Sequence, residues 1–305
     1  MRKPFRRTVV GATIVAFALI ASACGSGDDG AAKDGPTITI GSAAFSENAL
    51  VAEIYAQALE ADGYNVERKL NTGPREVYAP ALESGELDLV PEYIGTVLRY
   101  LGGDATSDSD ETHAALRLAW ESKDIVVLDY AAAQDKNGFA VTKETADSLG
   151  LAKVSDLAAH NGTLVLGGPP ECPERDFCLK GLESVYELSF KEFRSLDAGG
   201  PITVAALEGG EIQVGLMFTS AATILAKGFV LLEDDKGLQP AENIAPAVRK
   251  EIVDAYGDDF KTTLNDVSKK LTTIELVSLN KFVEVDGKDP EQVAAEWLKA
   301  IGVTE

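Results

Sequence analysis

Residues that commonly carry out covalent or metal chemistry are scarce in this chain, which has three cysteines and two histidines among 305 residues. His113 falls on the surface side of a predicted helix, and His160 lies near the end of another. Neither a GxSxG nor an HExxH motif occurs, although a serine nucleophile or a zinc-bound water usually sits in such a context. The residue types therefore favour a non-catalytic protein, with an extracytoplasmic hydrolase as the weaker alternative.

The first residues have the composition of an export signal. Four basic residues precede an apolar stretch at residues 9–23, which is too short to cross about 30 Å of hydrocarbon as a helix. Three small residues lead directly to Cys24, an arrangement that resembles the bacterial lipobox, and a Gly-, Ser- and Asp-rich segment typical of a flexible tether follows. We expect a signal peptide at residues 1–23, lipidation at Cys24 and a tether at residues 24–36. An ordinary signal peptide with an incidental cysteine is the alternative.

The remaining cysteines, Cys172 and Cys178, have C-x5-C spacing. In an exported protein with a lipidated Cys24 they would form a pair in an oxidising compartment, which favours a disulfide. A metal site is less favoured because neither histidine neighbours a cysteine. A cysteine nucleophile would need a basic partner, which the sequence does not indicate. We expect a Cys172–Cys178 disulfide and no metal or cofactor.

Composition restricts the possible partners. The chain has 28 basic and 49 acidic residues, and without residues 1–23 it keeps 24 basic residues and a net charge of −25. Such a charge disfavours binding to nucleic acid and to anionic lipid surfaces. No second apolar run reaches membrane-spanning length. A role in transport would therefore require separate membrane subunits.

Short strands and helices alternate from residue 37 onward, which predicts an α/β protein with parallel sheets. The predicted strands are residues 37–41, 65–70, 87–90, 125–128, 139–141, 163–166, 212–217 and 230–232. The predicted helices are residues 46–61, 75–84, 109–122 with Ser109 as N-cap, 154–160, 179–188, 204–208, 247–256, 264–279 and 290–301.

The alternation falls into two blocks, and we expect two α/β lobes. Residues 37–133 are assigned to the first part of lobe 1, residues 134–234 to lobe 2 and residues 235–305 to the return into lobe 1. Ligands of such sheets bind where the carboxyl ends of strands meet. We therefore expect a cleft between the lobes, lined by residues that follow Gly41, Val90, Tyr130, Gly168 and Met217.

Two segments carry a more specific pattern. SGELDLVPEYIGT at residues 84–96 resembles the signature of osmoprotectant-binding proteins, the glycine betaine/choline receptors of ABC importers. GSAAFSE at residues 41–47 and the ending at residues 289–298 are similar to the same family, so the resemblance covers about residues 37–303.

The resemblance implies a two-lobed, type II periplasmic-binding-protein fold (a Venus flytrap) with a hinge and an interlobe cleft. It also implies a monomeric receptor that closes over a small solute and delivers it to permease subunits driven by a cytoplasmic ATPase. With a lipid anchor, such a receptor would lie on the outer face of the bacterial cell membrane.

The family ligands also imply a set of site residues. A quaternary ammonium donates no hydrogen bond, so it is held by aromatic faces. Tyr93 would be one wall of that cage with Thr96 beside it, and Asp135 would complement a cation. Arg175 would reach the ligand or bridge the lobes. The predicted ligand-binding set is Ser42, Phe45, Tyr93, Thr96, Asp135, Asn137, Arg175, Phe218 and Thr219.

Structural roles are the alternatives for three of these residues. Tyr93 is alternatively a core tyrosine, and Asp135 a turn residue in Asp-Lys-Asn-Gly. Arg175 is alternatively a surface ion pair with Glu171 or Asp176.

The ligand class also has alternatives. Ala43 stands where the family has a lysine, and residues 239–243 lack an aromatic residue that the family cage contains. A receptor of the same fold for a ligand other than a quaternary amine, and a ligand-sensing lipoprotein, are therefore the alternatives.

Overall fold

A computed structural model describes Met1 and residues 33–304 of the chain. The predicted signal peptide, the lipidation at Cys24 and most of the predicted tether lie outside these residues. Among the helices that are described, none combines the length and the apolarity that a membrane span requires.

The described residues form ten strands and eleven α-helices. The strands are β1 (Ile38–Ala43), β2 (Val66–Gly73), β3 (Leu89–Tyr93), β4 (Ile125–Val127), β5 (Asn137–Val141), β6 (Val165–Gly168), β7 (Glu192–Ser195), β8 (Val214–Phe218), β9 (Val230–Leu231) and β10 (Ile244–Arg249). The helices are α1 (Ser46–Ala61), α2 (Arg75–Ser84), α3 (Ile94–Tyr100), α4 (Ser109–Glu121), α5 (Lys143–Leu149), α6 (Leu179–Val185), α7 (Pro201–Glu208), α8 (Ala222–Lys227), α9 (Lys250–Lys270), α10 (Thr273–Asn280) and α11 (Pro290–Ala300). Two 3₁₀ segments (Val154–His160 and Cys172–Glu174) and a π-helical turn (Lys281–Val285) complete them.

The strands form two five-stranded sheets. The first sheet has the order β2-β1-β3-β10-β4, and the second has the order β7-β6-β8-β5-β9. In each sheet four of the five strands point in the same direction, namely β2, β1, β3 and β4 in the first and β7, β6, β8 and β9 in the second. β10 runs antiparallel between β3 and β4, and β5 runs antiparallel between β8 and β9.

The prediction of parallel sheets was therefore wrong for β10 and β5, which run antiparallel to their neighbours. Each exception is a strand at which the chain changes sheets. β5 is the first strand after the chain leaves the first sheet, and β10 re-enters that sheet after the second is complete. Such a strand is not delivered by a βαβ crossover, so nothing requires it to run parallel to its neighbours.

Helix α1 shows how the sequence builds the core of the first sheet. Leu50, Ile54 and Ala58 lie on one face at helical spacing, and all three are fully buried. Trp297 of α11 belongs to the same apolar cluster, and its Nε1 donates a hydrogen bond to Glu275 at 2.9 Å. The C-terminal helix therefore closes over the core that the first strands begin.

Several predicted boundaries were wrong. Residues 247–249 form the end of β10 rather than the start of a helix, and the predicted helix 264–279 is the end of α9 followed by α10. Residues 154–160 form a 3₁₀ rather than an α-helix, and the N-cap of α4 is Asp108, which accepts from the Glu111 amide, not Ser109. Strand β7 and helices α3, α5 and α8 were not predicted. These elements are short, and pairing or packing with distant segments stabilises them more than local propensity does.

The position of His113 was also predicted wrongly. The side chain is buried, and its Nε2 lies 2.8 Å from the carbonyl oxygen of Leu128. Burial lowers the pKa of His113. The imidazole therefore has a structural contact within the first sheet's packing and does not face solvent.

Candidate ligand-binding cavity

A cavity of about 280 Å³ lies between the two sheets. Its walls come from the end of β3, the N-terminus of α1 and α2 on one side, and from β5, β8 and the loop after β6 on the other. Seven of the nine predicted ligand-binding residues line it: Phe45, Tyr93, Thr96, Asp135, Asn137, Arg175 and Phe218. The carboxyl ends of strands thus meet here as the sequence predicted.

The other two predicted residues lie behind the cavity wall. The Ser42 hydroxyl is buried, accepts from the Asn71 amide at 2.8 Å and donates to the Ala43 carbonyl at 3.0 Å. The Thr219 hydroxyl accepts from the Lys136 amide at 2.9 Å. Neither residue lines the cavity, so a direct ligand contact by either stays a prediction.

Aromatic rings from both sheets form one wall. The centroid of the Phe45 ring lies 5.9 Å from that of Tyr93 and 4.9 Å from that of Phe218, both tilted by 32°. Phe45 and Tyr93 adjoin the first sheet, whereas Phe218 ends β8 of the second. Tyr78 also lines the cavity, and sequence reasoning missed it because its helical spacing in α2 is that of any core residue. A cavity with four aromatic residues can hold an organic cation through its π-faces.

The hydroxyl of Tyr93 is held behind the aromatic wall. It donates to Oε1 of Glu47 at 2.7 Å. Oε2 of Glu47 accepts from the Ser220 hydroxyl and from the Asn280 side-chain amide. Burial raises the pKa of the Glu47 carboxyl. Tyr93 is only 6% exposed and also lines the cavity, so its side chain belongs to the core, and its contact with a ligand stays a prediction.

Asp135 lies beside this network, at the junction of the two sheets. It is 4% exposed, lines the cavity, and accepts from the Ser220 amide at 3.0 Å. Burial and then the neighbouring Glu47 carboxylate raise the pKa of Asp135 well above its usual value. Two buried carboxyl groups this close favour a protonated form for one of them.

A second set of buried acidic side chains, Glu92 and Glu242, lies near Arg75. The sequence analysis did not single out Arg75. The Arg75 guanidinium is buried and pairs with Glu92, with Nη2 at 2.9 Å and Nε at 3.2 Å from the carboxylate. Glu242 lines the cavity nearby and is 1% exposed. Burial raises the pKa of Glu242 to about 8. Glu92 lies within the PEYIGT motif. The sequence analysis noted the segment around Glu242 only because it lacks an aromatic residue of the family cage.

Arg175 is positioned by the disulfide that the sequence predicted. Cys172 and Cys178 are bonded, with their Cα atoms 5.3 Å apart, and Arg175 lies in the loop they close. Its Nη2 lies 3.0 Å from Glu76 of α2 and 3.6 Å from Glu171. Arg175 thus bridges the two sides of the cavity, and the predicted alternative pairing with Glu171 is also present.

The alternative pairing of Arg175 with Asp176 was wrong. Asp176 instead accepts from Nε of Arg99 at 2.5 Å. Arg99 lies in the last turn of α3 on the side of the first sheet, so this contact is a second ion pair that joins the two sides. Asn137, by contrast, donates within its own side, from Nδ2 to the Phe177 carbonyl at 3.1 Å.

Comparison with known proteins identifies what this architecture resembles. Residues 36–300 match the family described as the substrate binding domain of the ABC-type glycine betaine transport system. A glycine-betaine-binding protein of Pseudomonas aeruginosa is 29% identical over 276 residues, which cover 86% of this chain and 87% of that protein. The glycine betaine-binding protein YehZ of Escherichia coli is 28% identical over 279 residues, covering 88% and 91% respectively.

Solved structures give the same result for the fold. A crystal structure described as a glycine betaine/carnitine/choline ABC transporter is similar with a TM-score of 0.69 and 25% identity, over 88% of this chain and 99% of that one. The predicted two-lobed, type II periplasmic-binding-protein fold is therefore confirmed.

Proposed function

This chain belongs to the family of substrate-binding domains of ABC-type glycine betaine transport systems, and on that premise we propose that it binds a small quaternary-ammonium solute. The solute would be of the glycine betaine, carnitine or choline type, and the receptor would deliver it to permease subunits coupled to a cytoplasmic ATPase. Relatives in the family are binding proteins of transporters, and we propose that this chain likewise has no enzymatic activity.

The aromatic wall is the observation that carries this proposal. Phe45, Tyr93 and Phe218 present three adjacent rings to one cavity. A quaternary ammonium over such faces gains about 0.5–2 kcal/mol from each cation–π contact, with more when water is excluded. A cavity of about 280 Å³ is large enough for a solute of this size.

Binding is proposed to close the two lobes over the solute. Phe45 adjoins the first sheet and Phe218 ends a strand of the second, so a ligand that contacts both rings favours the closed arrangement over an open one. The Arg175–Glu76 and Arg99–Asp176 ion pairs would add to the closed state. We propose residues 37–133 and 235–305 as lobe 1 and residues 134–234 as lobe 2, a division that the strand membership of the two sheets supports.

The cellular arrangement is part of the proposal. Members of this family are extracytoplasmic binding proteins. The N-terminal sequence supports export, and Cys24 would carry a lipid that holds the monomeric receptor to the outer face of the membrane. Labelling with a radioactive fatty acid and its loss in Cys24→Ala would test the anchor.

A thermal-shift and calorimetric series tests the ligand class. We expect choline, glycine betaine or carnitine to raise Tm, because a ligand specific to the folded state stabilises it. Phe218→Ala should weaken the binding of whichever of these binds by about fivefold or more. Phe282→Ala is the matched control, since Phe282 is exposed and lies away from the cavity. No response to any quaternary amine, or binding unchanged in Phe218→Ala, would contradict the proposal.

A further inference from the structure

Glu242 has one carboxylate oxygen whose role the protein itself does not explain. Oε2 accepts from the Gly95 amide at 3.1 Å and lies 3.5 Å from the Thr96 hydroxyl, at the N-terminus of α3. Oε1 is buried and has no hydrogen-bond partner among residues 33–304. A buried carboxylate oxygen without a donor is costly. Capping of α3 accounts for Oε2 alone, and Glu242 forms part of the cavity wall. A donor that enters the cavity and displaces the atoms covering Oε1 would therefore find this oxygen unpaired.

The arginines that line the cavity are already paired. Arg75 makes a two-nitrogen contact with Glu92. Arg175 contacts both Glu76 and Glu171. No other lysine or arginine lines this cavity in the described chain. A ligand carboxylate would therefore have to compete with protein carboxylates for each guanidinium.

The remaining charge of the cavity is acidic. Asp135 and Glu242 both line it, and both are almost fully buried. Opposite charge at close range in a low-dielectric site is strongly attractive, and like charge is strongly repelled. With these carboxyl groups ionised, the cavity is complementary to a positive ligand and unfavourable to a carboxylate near Glu242.

We propose that Glu242 is a specificity-determining residue of this site, whose free oxygen selects a quaternary-ammonium ligand with net positive charge and a hydroxyl or N–H donor. Zwitterions that end in a carboxylate, such as glycine betaine, are disfavoured. This inference rests on the proposed function and narrows it to choline-like cations. The rings hold the ammonium, and Oε1 of Glu242 accepts the hydrogen bond.

The same arrangement couples the binding of a cation to the release of a proton from Glu242. Burial raises the pKa of Glu242 to about 8, against the lowering effects of the Thr96 and Gly95 donors and Arg75, while Glu92 adds to the rise. A bound cation stabilises the ionised form, so affinity for a cation should increase from about pH 6.5 to pH 9, with release of a proton. The other charged or titratable groups that face the cavity are Tyr78, Tyr93, Asp135, Glu171, Arg175 and Asp197.

Calorimetry with matched ligands tests the assignment. Choline, glycine betaine and tetramethylammonium are titrated into the wild-type protein and Glu242→Gln, in which an amide oxygen can still cap α3. Glu83→Gln is the control, because it removes the same charge from a residue outside the cavity. We expect the wild type to bind choline at least tenfold more tightly than glycine betaine. Glu242→Gln should lose about tenfold for choline and bind glycine betaine at least as tightly as the wild type does, because the repulsion of the ligand carboxylate is removed. Glu83→Gln should match the wild type.

The outcomes separate this inference from the proposed function. Equal losses for both ligands in Glu242→Gln, or an unchanged choline affinity, would overturn the role of Glu242. If Glu242→Gln does not fold, the ligand preference of the wild-type protein and its dependence on pH test the inference instead. Choline preference that strengthens with pH supports the inference, and preference for glycine betaine overturns it while leaving the proposed function intact. A wild type that binds none of the three probes removes the proposed function, and this inference with it.

Discussion

Tyr93 has two roles that belong to different parts of its side chain. The ring lines the cavity, while the hydroxyl donates to Glu47 at 2.7 Å. Glu47 in turn accepts from Ser220 and Asn280, which come from distant parts of the chain. The aromatic wall is therefore oriented by a buried hydrogen-bond network behind it, so removing the ring and removing the hydroxyl should have different effects.

We expect Tyr93→Phe to destabilise the protein more than it weakens ligand binding. The substitution leaves Oε1 of Glu47 without its donor, at a cost of about 1–3 kcal/mol in the free energy of unfolding, while the ring face remains. Denaturant unfolding and calorimetry measure the two quantities. Tyr100→Phe is the matched control because Tyr100 is exposed. A loss of affinity without a loss of stability would show that the hydroxyl itself contacts the ligand.

At the level of elements, the Cys172–Cys178 loop connects the second sheet to the cavity. It follows β6, contains a short 3₁₀ turn and leads into α6. Both cysteines are buried, so the loop is tied to the core of the second sheet, and Arg175 projects from it toward Glu76 of α2. The disulfide therefore limits the positions that this arginine can adopt.

We expect the double substitution Cys172→Ser, Cys178→Ser to lower the free energy of unfolding by about 2 kcal/mol, because the unfolded chain loses its short closed loop. Ligand affinity should fall as well, since Arg175 becomes less ordered. Reduction of the wild type with dithiothreitol should reproduce both effects, and the double variant should not respond to it. Unchanged stability on both routes would show that the bond does not constrain the loop.

For the whole molecule, the relation between the two sheets depends on few polar contacts. The ion pairs Arg175–Glu76 and Arg99–Asp176 both join the side of the first sheet to the side of the second and are partly exposed. Exposed pairs contribute about 0.2–1 kcal/mol each and weaken with salt. Such contacts can shift the balance between open and closed arrangements without fixing it.

We expect Arg175→Ala to shift the ligand-free protein toward an open arrangement and to weaken binding about two- to fivefold. The reason is the loss of a contact made only when the two sides approach. Small-angle scattering should report a larger radius of gyration, and calorimetry the change in affinity. Arg194→Ala is the control, since Arg194 pairs with Glu192 and Glu211 of its own side. An unchanged radius together with unchanged affinity would contradict a closing role for Arg175.

Much of the site was accessible from local patterns in the sequence. The alternation of strands and helices indicated the α/β class, and the PEYIGT segment pointed to Tyr93 and Thr96 at a strand end. The cysteine spacing predicted a disulfide that the structure contains. These features depend on the order of residues over short distances, where periodicity and turn chemistry are set by the neighbouring side chains.

Tertiary structure alone decided which distant residues complete the site. β10 inserts antiparallel beside β3, and this pairing brings Glu242 to the N-terminus of α3. The meeting of Glu47 with Ser220 and Asn280 likewise joins segments more than a hundred residues apart. Such contacts are selected by the packing of whole sheets against each other, which a local pattern does not contain. The sequence by itself therefore determined the class of protein and part of its aromatic wall, and the assembled sheets determined the acidic groups that face the ligand.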